Sequence, residues 1–200
     1  MCCSQIWEHK GNPAGQRLTA NRTIESFYKW SGGGRIPIFC DTTSCTHTLL
    51  FETGGDILTP ENREKYKQLK IMDITQWLKE VVLPRIKVIR PKNRILLHPT
   101  CSCQIMGLTP VLLDIARKCA REVILPDNWG CCGASGDRGF IFPELSDSAT
   151  RDERDEIGHE SFDGCYSLAR TCEIAMQDHI EQPYESIVYL VDETIQDQGT

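Results

Sequence analysis

The alternation of apolar and polar residues along the chain predicts short strands that alternate with helices. Continuous apolar runs predict strands at 36–40, 95–98, 123–126, 162–166 and 186–191. Apolar residues at helical spacing predict helices at 21–30, 72–83, 109–119 and 172–180. The charged stretch 150–160 is interpreted as a solvated segment. This order of elements predicts an α/β fold with mostly parallel sheets.

A repeated arrangement of cysteines divides the chain into two similar halves. The pairs Cys2-Cys3 and Cys131-Cys132 are each followed, at nearly the same distance, by a single cysteine, Cys45 or Cys172. The repeat predicts two pseudo-symmetric, Rossmann-like halves, residues 1–86 and 87–200, which are joined near the basic segment 85–93. Because the first pair directly follows Met1, we expect the chain to begin inside a larger architecture, with a truncated first half.

Eleven cysteines are unusual in a chain of 200 residues with an ordinary apolar content of 40%. No apolar leader or bilayer-length apolar run is present, and the net charge of −6 with no basic cluster disfavours nucleic-acid binding. We therefore expect a reducing, cytoplasmic location, either free or peripheral on the inner face of the membrane. In such a compartment, this cysteine density favours metal or cluster ligation over disulfides.

The main candidate for a functional site is the segment 130–139, in which two adjacent cysteines stand among four glycines. Glycines permit the sharp turn that would aim both sulfurs at one centre, although a buried inert pair or a vicinal disulfide would share the pattern. In parallel sheets, ligands collect at the carboxyl ends of strands. Four thiols of the second half follow predicted strands and are its candidate ligands: Cys101, Cys131, Cys132 and Cys172. The first half offers three: Cys2, Cys3 and Cys45.

Four thiolates can hold a tetrahedral zinc ion or an iron–sulfur cluster, and their softness excludes magnesium and calcium. Arg138 and Arg170 lie close to the candidate ligands in sequence. They could offset the charge of a thiolate cluster or bind a partner, and an ordinary surface ion pair is an equal alternative. Cys119 falls at helical spacing with apolar neighbours, which predicts a core position.

The segments 131–140, 143–145, 167–174 and 183–191 together resemble the cysteine-rich CCG domain. The stretch His98-Pro99-Thr100-Cys101-Ser102 also fits that domain, which adds His98 as a candidate cluster or partner contact. The domain occurs in heterodisulfide reductase subunits, in glycolate oxidase iron–sulfur subunits and at the C-terminus of FAD-linked dehydrogenases that oxidise D-lactate or D-2-hydroxyglutarate. The last group is the most similar.

This resemblance implies an electron-transfer module with an iron–sulfur cluster, of the 4Fe–4S type, that relays electrons from flavin to a quinone or cytochrome-type acceptor. FAD and the substrate pocket would belong to a dehydrogenase domain or subunit absent from this chain, which alone should not oxidise a hydroxy acid. Ala169 and Thr42 replace a cysteine of the domain's C-x-x-C, and Ser4 replaces a glycine. The alternative is a non-catalytic docking module that is stabilised by zinc or free of metal.

Overall fold

Four of the five predicted strands take part in two parallel sheets in the computed structural model of the protein, which describes residues 2–195. The chain divides into two units, Met1–Ile74 and Thr75–Thr200. The predicted junction at residues 86 and 87 thus falls inside the second unit. The α/β fold and the parallel strands that the sequence predicts are confirmed.

The first unit packs helices around one parallel strand pair. Its elements are α1 (Gln5–His9), α2 (Pro13–Trp30), β1 (Ile38–Cys40), α3 (Thr43–His47), a π-helical turn (Thr48–Glu52), a 3₁₀ turn (Gly55–Ile57), α4 (Pro60–Gln68) and β2 (Ile71–Asp73). Helix α5 (Ile74–Trp77) begins at the last residue of this unit. Strand β1 pairs with β2, with Cys40 opposite Asp73.

Helix α2 begins earlier than the predicted range of 21–30. The side chain of Asn12 accepts a hydrogen bond from the Gly15 N–H at 2.9 Å, and Pro13 occupies the first helical position. Both residues are strong helix-start signals. The predicted helix at 72–83 also differs, because β2 takes its first residues and a π-helical turn (Leu78–Val82) takes its second half.

The second unit is built on a four-stranded parallel sheet in the order β4-β3-β5-β6. Its elements are β3 (Lys92–Leu97), α6 (Cys101–Ile105), α7 (Thr109–Cys119), β4 (Ala120–Ile124), α8 (Arg138–Ile141), α9 (Pro143–Ile157), β5 (Gly164–Ser167), α10 (Arg170–Ile180), β6 (Tyr184–Ser186) and α11 (Ile187–Thr194). In the inner strand β3, Ile95, Leu96 and Leu97 are fully buried. The carboxyl ends of β3, β4 and β5 therefore meet at one edge of the sheet.

Two sequence interpretations in this unit are wrong. The predicted strand at 186–191 is helix α11, which buries Ile187, Leu190, Val191 and Thr194 at helical spacing. The stretch 150–160, interpreted as solvated, belongs largely to α9, which buries Ser146, Thr150, Glu153 and Ile157. The buried face of α9 is mainly polar, so its apolar residues alone could not reveal it.

Candidate functional site

Four cysteines meet at the carboxyl edge of the second unit's sheet. Cys101 opens α6 after β3, Cys131 and Cys132 lie in the loop after β4, and Cys172 lies in the first turn of α10 after β5. The sulfur atoms of Cys132 and Cys172 are 2.9 Å apart. The thiol of Cys131 forms hydrogen bonds with those of Cys101 and Cys132. The sulfurs thus form a continuous row from Cys101 to Cys172.

Backbone N–H groups also point at these sulfurs. The Gly133 N–H donates to the Cys131 sulfur at 3.4 Å, and the backbones of Ala134 and Ser102 donate to Cys132 and Cys101. Gly133 adopts a φ of 73°, a left-handed conformation that turns the chain back over the cysteine pair. Donors of this kind favour the thiolate form of a cysteine, which is the form that binds metals.

The thiols of Cys101, Cys131 and Cys132 differ in their pKa values. Hydrogen bonds from Cys101 and then Cys132 hold the pKa of Cys131 far below its ordinary value, and the charge of His98 adds to this. The hydrogen bonds to Cys131 raise the pKa of both Cys101 and Cys132, and burial raises it further. Cys131 is therefore the most acidic of these three thiols.

The cysteine loop packs tightly against the start of α9. A Cβ atom at Gly133 would lie 2.6 Å from the Leu145 carbonyl oxygen, and one at Gly139 would lie 2.5 Å from Ser146 Oγ. Neither position has room for a side chain. The glycines in this segment thus serve close packing as well as the turn.

A buried polar pair lies close to the row. The Nδ1 atom of His98 is 2.9 Å from Glu153 Oε2, and the ring of Tyr184 lies edge-on to the imidazole. The His98 Nε2 and the Tyr184 hydroxyl are buried and have no hydrogen-bond partner within residues 2–195. Because His98 is fully buried, its imidazole acts from inside the unit and is not a surface contact for a partner.

The two arginines near the cysteines face solvent. Arg138 is exposed at the first position of α8. Arg170 forms an ion pair with Glu173 at 3.1 Å, although 71% of its own side chain remains exposed. The ion pair is the simplest account of Arg170.

The donor set fits a soft metal, but the sulfurs stand closer together than metal ligands do. Four sulfurs about 2.3 Å from a tetrahedral ion lie about 3.8 Å from one another, whereas Cys132 and Cys172 are 2.9 Å apart. In the part of the chain that the structure describes, no three His, Cys, Asp or Glu side chains are grouped so that they could hold a metal ion. To hold a single tetrahedral ion, the row must open by about 1 Å. An iron–sulfur cluster, whose thiolates bind more than one iron atom, needs a wider opening.

The other cysteines of the second unit are packed in its interior. Cys119 is fully buried, as its helical spacing predicts, and burial raises its pKa. Cys103 is buried within α6, where its sulfur lies 3.9 Å from the Thr109 hydroxyl. Cys165 is buried in β5 and packs in the same apolar cluster as Cys132, and burial raises its pKa to about 12.

The first unit gathers its cysteines around a cavity of about 310 Å³. The three cysteines that the sequence suggests, Cys2, Cys3 and Cys45, line this cavity together with Cys40. A hydrogen bond from Cys45 lowers the pKa of Cys3 to about 7 and raises that of Cys45. Burial, followed by the charge of Asp73, raises the pKa of Cys40 to about 11.

Sequence reasoning missed two of these residues. The apolar run at 36–40 predicts only a buried strand for Cys40, although a position at the carboxyl end of a strand is the signal that identifies the other candidates. The charged sequence around Glu153 predicts a solvated stretch, and the contact of Glu153 with His98 leaves no local signal in the sequence.

Comparison with known proteins identifies no relative of this chain. No protein-family model matches the chain, and no curated protein matches it either. The similarity to the CCG domain therefore remains a resemblance carried by the quoted motifs. Among residues 2–195, no helix is both long enough and apolar enough to cross a membrane.

Proposed function

We propose that the second unit is an electron-transfer module that binds an iron–sulfur cluster through Cys101, Cys131, Cys132 and Cys172. The proposed partner is an FAD-linked D-2-hydroxyacid dehydrogenase domain or subunit, acting on D-lactate or D-2-hydroxyglutarate. The observation that carries the proposal is the contact of four thiols from three strand-end loops. The class of dehydrogenase rests on the resemblance of the motifs.

The hydrogen bonds around the thiols favour a redox-active cluster over a structural metal ion that takes no part in electron transfer. Backbone N–H donors reach three of the four sulfurs, and hydrogen bonds to sulfur are a main means by which proteins tune cluster potentials. An iron–sulfur cluster, when bound, would supply one-electron transfer. The chain's own residues would hold that group, screen its charge and limit its contact with water.

The two faces of the site differ in exposure, as electron transfer requires. Cys132 and Cys172 are buried, at 4% and 8% exposure, whereas Cys101 and Cys131 are exposed. A group held by all four would have a protected inner side and an outer side that a partner can approach. Exposed apolar side chains directly follow the cysteine loop and would suit a docking surface: Phe140, Ile141, Phe142 and Leu145.

The test is anaerobic purification of the full chain followed by iron, zinc and acid-labile sulfide analysis. We expect iron and sulfide in equal amounts, with visible absorption that is bleached by dithionite. In Cys132→Ser, iron and sulfide should be lost together. The matched control is Cys119→Ser, which alters a fully buried core thiol and should keep the metal content unchanged.

Zinc without sulfide, and no visible absorption, would overturn the electron-transfer proposal and leave the zinc-stabilised docking module in its place. Equal loss of metal in Cys132→Ser and Cys119→Ser would instead contradict the ligand set. In both cases, the free energy of unfolding of each variant is measured as well. A variant that loses metal but stays folded has lost a ligand, whereas a variant that unfolds has lost the fold.

A further inference from the structure

We propose that one edge of strand β1 in the first unit accepts a further parallel strand from a partner polypeptide. The occupant is a short extended segment with three consecutive aliphatic residues, which extends the sheet beyond β1. The second unit contains the completed version of the same arrangement. Docking of this strand needs no metal in either unit, so its failure is distinguishable from failure of the electron-transfer proposal.

The two units present corresponding elements in the same order. In the first unit, the pair Cys2-Cys3 is followed by α1, α2, β1, α3 with Cys45, and β2. In the second unit, the pair Cys131-Cys132 is followed by α8, α9, β5, α10 with Cys172, and β6. The first unit differs by helix α4 and two short turns, which precede β2. Strands β1 and β2 therefore correspond to β5 and β6.

The register of the two strand pairs agrees with this correspondence. Both pairs are parallel, with Ile38 opposite Ile71 in the first unit and Cys165 opposite Tyr184 in the second. Ile38 and Cys165 each lie seven residues before the single cysteine of their unit. Each residue of β1 can therefore be assigned a counterpart in β5.

The contacts between thiols correspond as well. The thiols of Cys3 and Cys45 share a hydrogen bond, as do those of Cys132 and Cys172. Order, register and thiol contacts thus agree, and the second unit indicates which neighbours the strands of the first unit can accept.

The two corresponding strands differ in their neighbours. Strand β5 is paired on both edges, with β3 on one side and β6 on the other. Within residues 2–195, β1 pairs with β2 alone. The Ile38 N–H donates to the Lys70 carbonyl on the side of β2 at 2.8 Å. Successive residues of a strand direct their backbone groups to alternate edges, so the residues flanking Ile38 direct theirs to the edge at which β5 holds β3.

The side chains of β1 are less covered than those of β5. Tyr166 and Ser167 of β5 are 1% and 0% exposed, whereas their counterparts Phe39 and Cys40 are 45% exposed and half-buried. Parallel sheets are normally covered on both faces, and two short strands alone form only a marginally stable sheet. A third strand would give β1 the cover and the pairing that β5 already has.

A cavity of about 310 Å³ lies at the edge and carboxyl end of β1. The consecutive residues 39–42 all line it. Because alternate side chains of a strand point to opposite faces, this lining fits a cavity along the edge and end of the strand. Cys2 also lines the cavity, and its counterpart Cys131 contacts Cys101, which directly follows β3 by way of a short loop. The cavity thus corresponds to the place that the end of β3 takes in the second unit.

The second unit also indicates the chemistry of the occupant. Strand β3 contributes the fully buried aliphatic run 95–97, and Leu96 packs in the apolar cluster that contains Cys132. In the first unit, Phe27 and Leu49 line the cavity beside the cysteines. An aliphatic segment fits these surroundings, and main-chain hydrogen bonds to β1 would supply affinity, as they do wherever a peptide adds a strand to a sheet.

Pro37 leaves this edge usable. It lies just before the first residue of β1, and within sheets proline is found at strand starts and on edge strands. Proline lacks an N–H but keeps its carbonyl, so an incoming strand can bond from the Pro37 carbonyl onward. A second copy of this chain fits the edge less well, because two copies of β1 related by a two-fold axis would run antiparallel, whereas β3 runs parallel to β5.

The test uses the full chain and a fluorescent peptide with the sequence of residues 92–99, which contains the aliphatic run of β3. Fluorescence anisotropy should show saturable binding of one peptide per chain. A peptide of the same composition, in which charged residues separate the aliphatic ones, should bind at least about tenfold more weakly. Hydrogen exchange should slow at residues 38–41 and stay unchanged at residues 164–167, which locates the peptide on the first unit.

Two N-methylated peptides separate strand pairing from simple hydrophobic contact. In the second unit, the His98 N–H donates to the Tyr166 carbonyl of β5 at 3.0 Å, so the N–H of Leu96, two residues earlier, points to the same edge. A methyl group on the nitrogen of this leucine in the peptide should weaken binding by at least about tenfold. A methyl group on the nitrogen of the next leucine, Leu97, which points away, should leave most of the binding intact.

The matched protein variants change one residue of β1. Phe39→Pro removes an N–H that is directed to the proposed edge, and it keeps the bond from Ile38 to Lys70. Phe39→Ala removes the aromatic ring and retains the N–H. Peptide binding should be lost in Phe39→Pro and largely kept in Phe39→Ala. Circular dichroism and urea unfolding report whether each variant has kept the fold, and the N-methylated peptides test the pairing without any change in the protein.

No saturable binding at up to about 1 mM peptide, or equal binding of the two N-methylated peptides, would overturn the proposal. Slower exchange confined to the second unit would also overturn it. A dimer of the chain alone that Phe39→Pro dissociates in sedimentation analysis would show that a second copy occupies the edge instead. None of these results changes the iron and sulfide content expected of the second unit, so the two proposals fail separately.

Discussion

The imidazole of His98 and the carboxylate of Glu153 form a hydrogen bond at 2.9 Å, in which the two side chains are 1% and 2% exposed. The pair connects the end of strand β3 to the middle of helix α9. Both oxygens of the carboxylate lie within 3.1 Å of the same Nδ1 atom. The carboxylate therefore fixes the orientation of the imidazole.

Replacement of the Glu153 carboxyl group by an amide should destabilise the second unit strongly. In Glu153→Gln, the buried imidazole loses its carboxylate partner, and we expect the free energy of unfolding in urea to fall by about 3 kcal/mol. The control is Asp114→Asn, which breaks an exposed ion pair with Lys79 in the same unit and should cost less than about 1 kcal/mol. Equal effects in the two variants would show that the buried pair is not a stabilising connection.

Cys131 should be the most reactive thiol of the metal-free, reduced second unit. Its pKa is lowered by hydrogen bonds from Cys101 and Cys132, so it is already a thiolate at pH 6, and its rate of reaction with iodoacetamide should hardly change up to pH 9. Burial raises the pKa of Cys165 to about 12, and that thiol should stay unlabelled in the folded chain. Peptide mapping after timed quenching gives both rates.

The control for this pH profile is Cys101→Ala, which removes one hydrogen-bond donor to Cys131. The pKa of Cys131 should then rise, and its labelling rate below that pKa should grow by about tenfold per pH unit. A wild-type rate that already grows tenfold per pH unit would contradict the hydrogen-bonded thiolate.

Oxidation of the metal-free chain should join Cys132 to Cys172. Their sulfurs are already 2.9 Å apart, so a disulfide needs a shift of less than about 1 Å to reach its bond length. With diamide as oxidant, the two thiols lose two protons and pass two electrons to the diazene. Non-reducing peptide mapping should find this bond, with Cys165 of the same apolar cluster still reduced. A dominant bond between Cys131 and Cys132 would refute the expected pairing.

A methyl group at Gly133 should disrupt the cysteine loop. Its Cβ would lie 2.6 Å from the Leu145 carbonyl oxygen, and the φ of 73° is unfavourable for alanine. We expect Gly133→Ala to cost about 1–3 kcal/mol of stability and to weaken metal retention. Gly130→Ala is the matched control, because nothing lies within 4 Å of its Cβ position, and it should change stability by less than about 0.5 kcal/mol. Similar losses in both would argue against the close packing.

The sequence predicted the parts of the fold that depend on local apolar patterns. Helix α7 and the fully buried segment of β3 follow from the spacing of Leu112, Ile115 and Ala116 and from the run at 95–97. The strand prediction for helix α11 is wrong because its first residues, 187–191, are nearly all apolar, and such a run fits a buried strand as well as a helix. The structure resolves the ambiguity by burying Ile187, Leu190 and Val191 at helical spacing.

The candidate site was predictable to the extent that it depends on strand ends. Because parallel strands end at one edge of the sheet, the thiols of Cys101, Cys131 and Cys172 were expected to lie near one another. The partnership of His98 with Glu153 is a tertiary contact between β3 and α9 that leaves no local pattern. The position of Cys40 at the cavity likewise depends on how β1 packs, which periodicity alone does not fix.

The order of the four cysteines along the second unit sets a constraint on its biosynthesis. A growing chain leaves the ribosome from its N-terminus, so Cys101, Cys131 and Cys132 emerge first, and Cys172 follows only after α9 and β5. The row of sulfurs cannot close until α10 has emerged, so any group it holds must be inserted late. The four cysteines around the first unit's cavity all precede α4. A nascent chain therefore completes the thiol cluster of the first unit before that of the second.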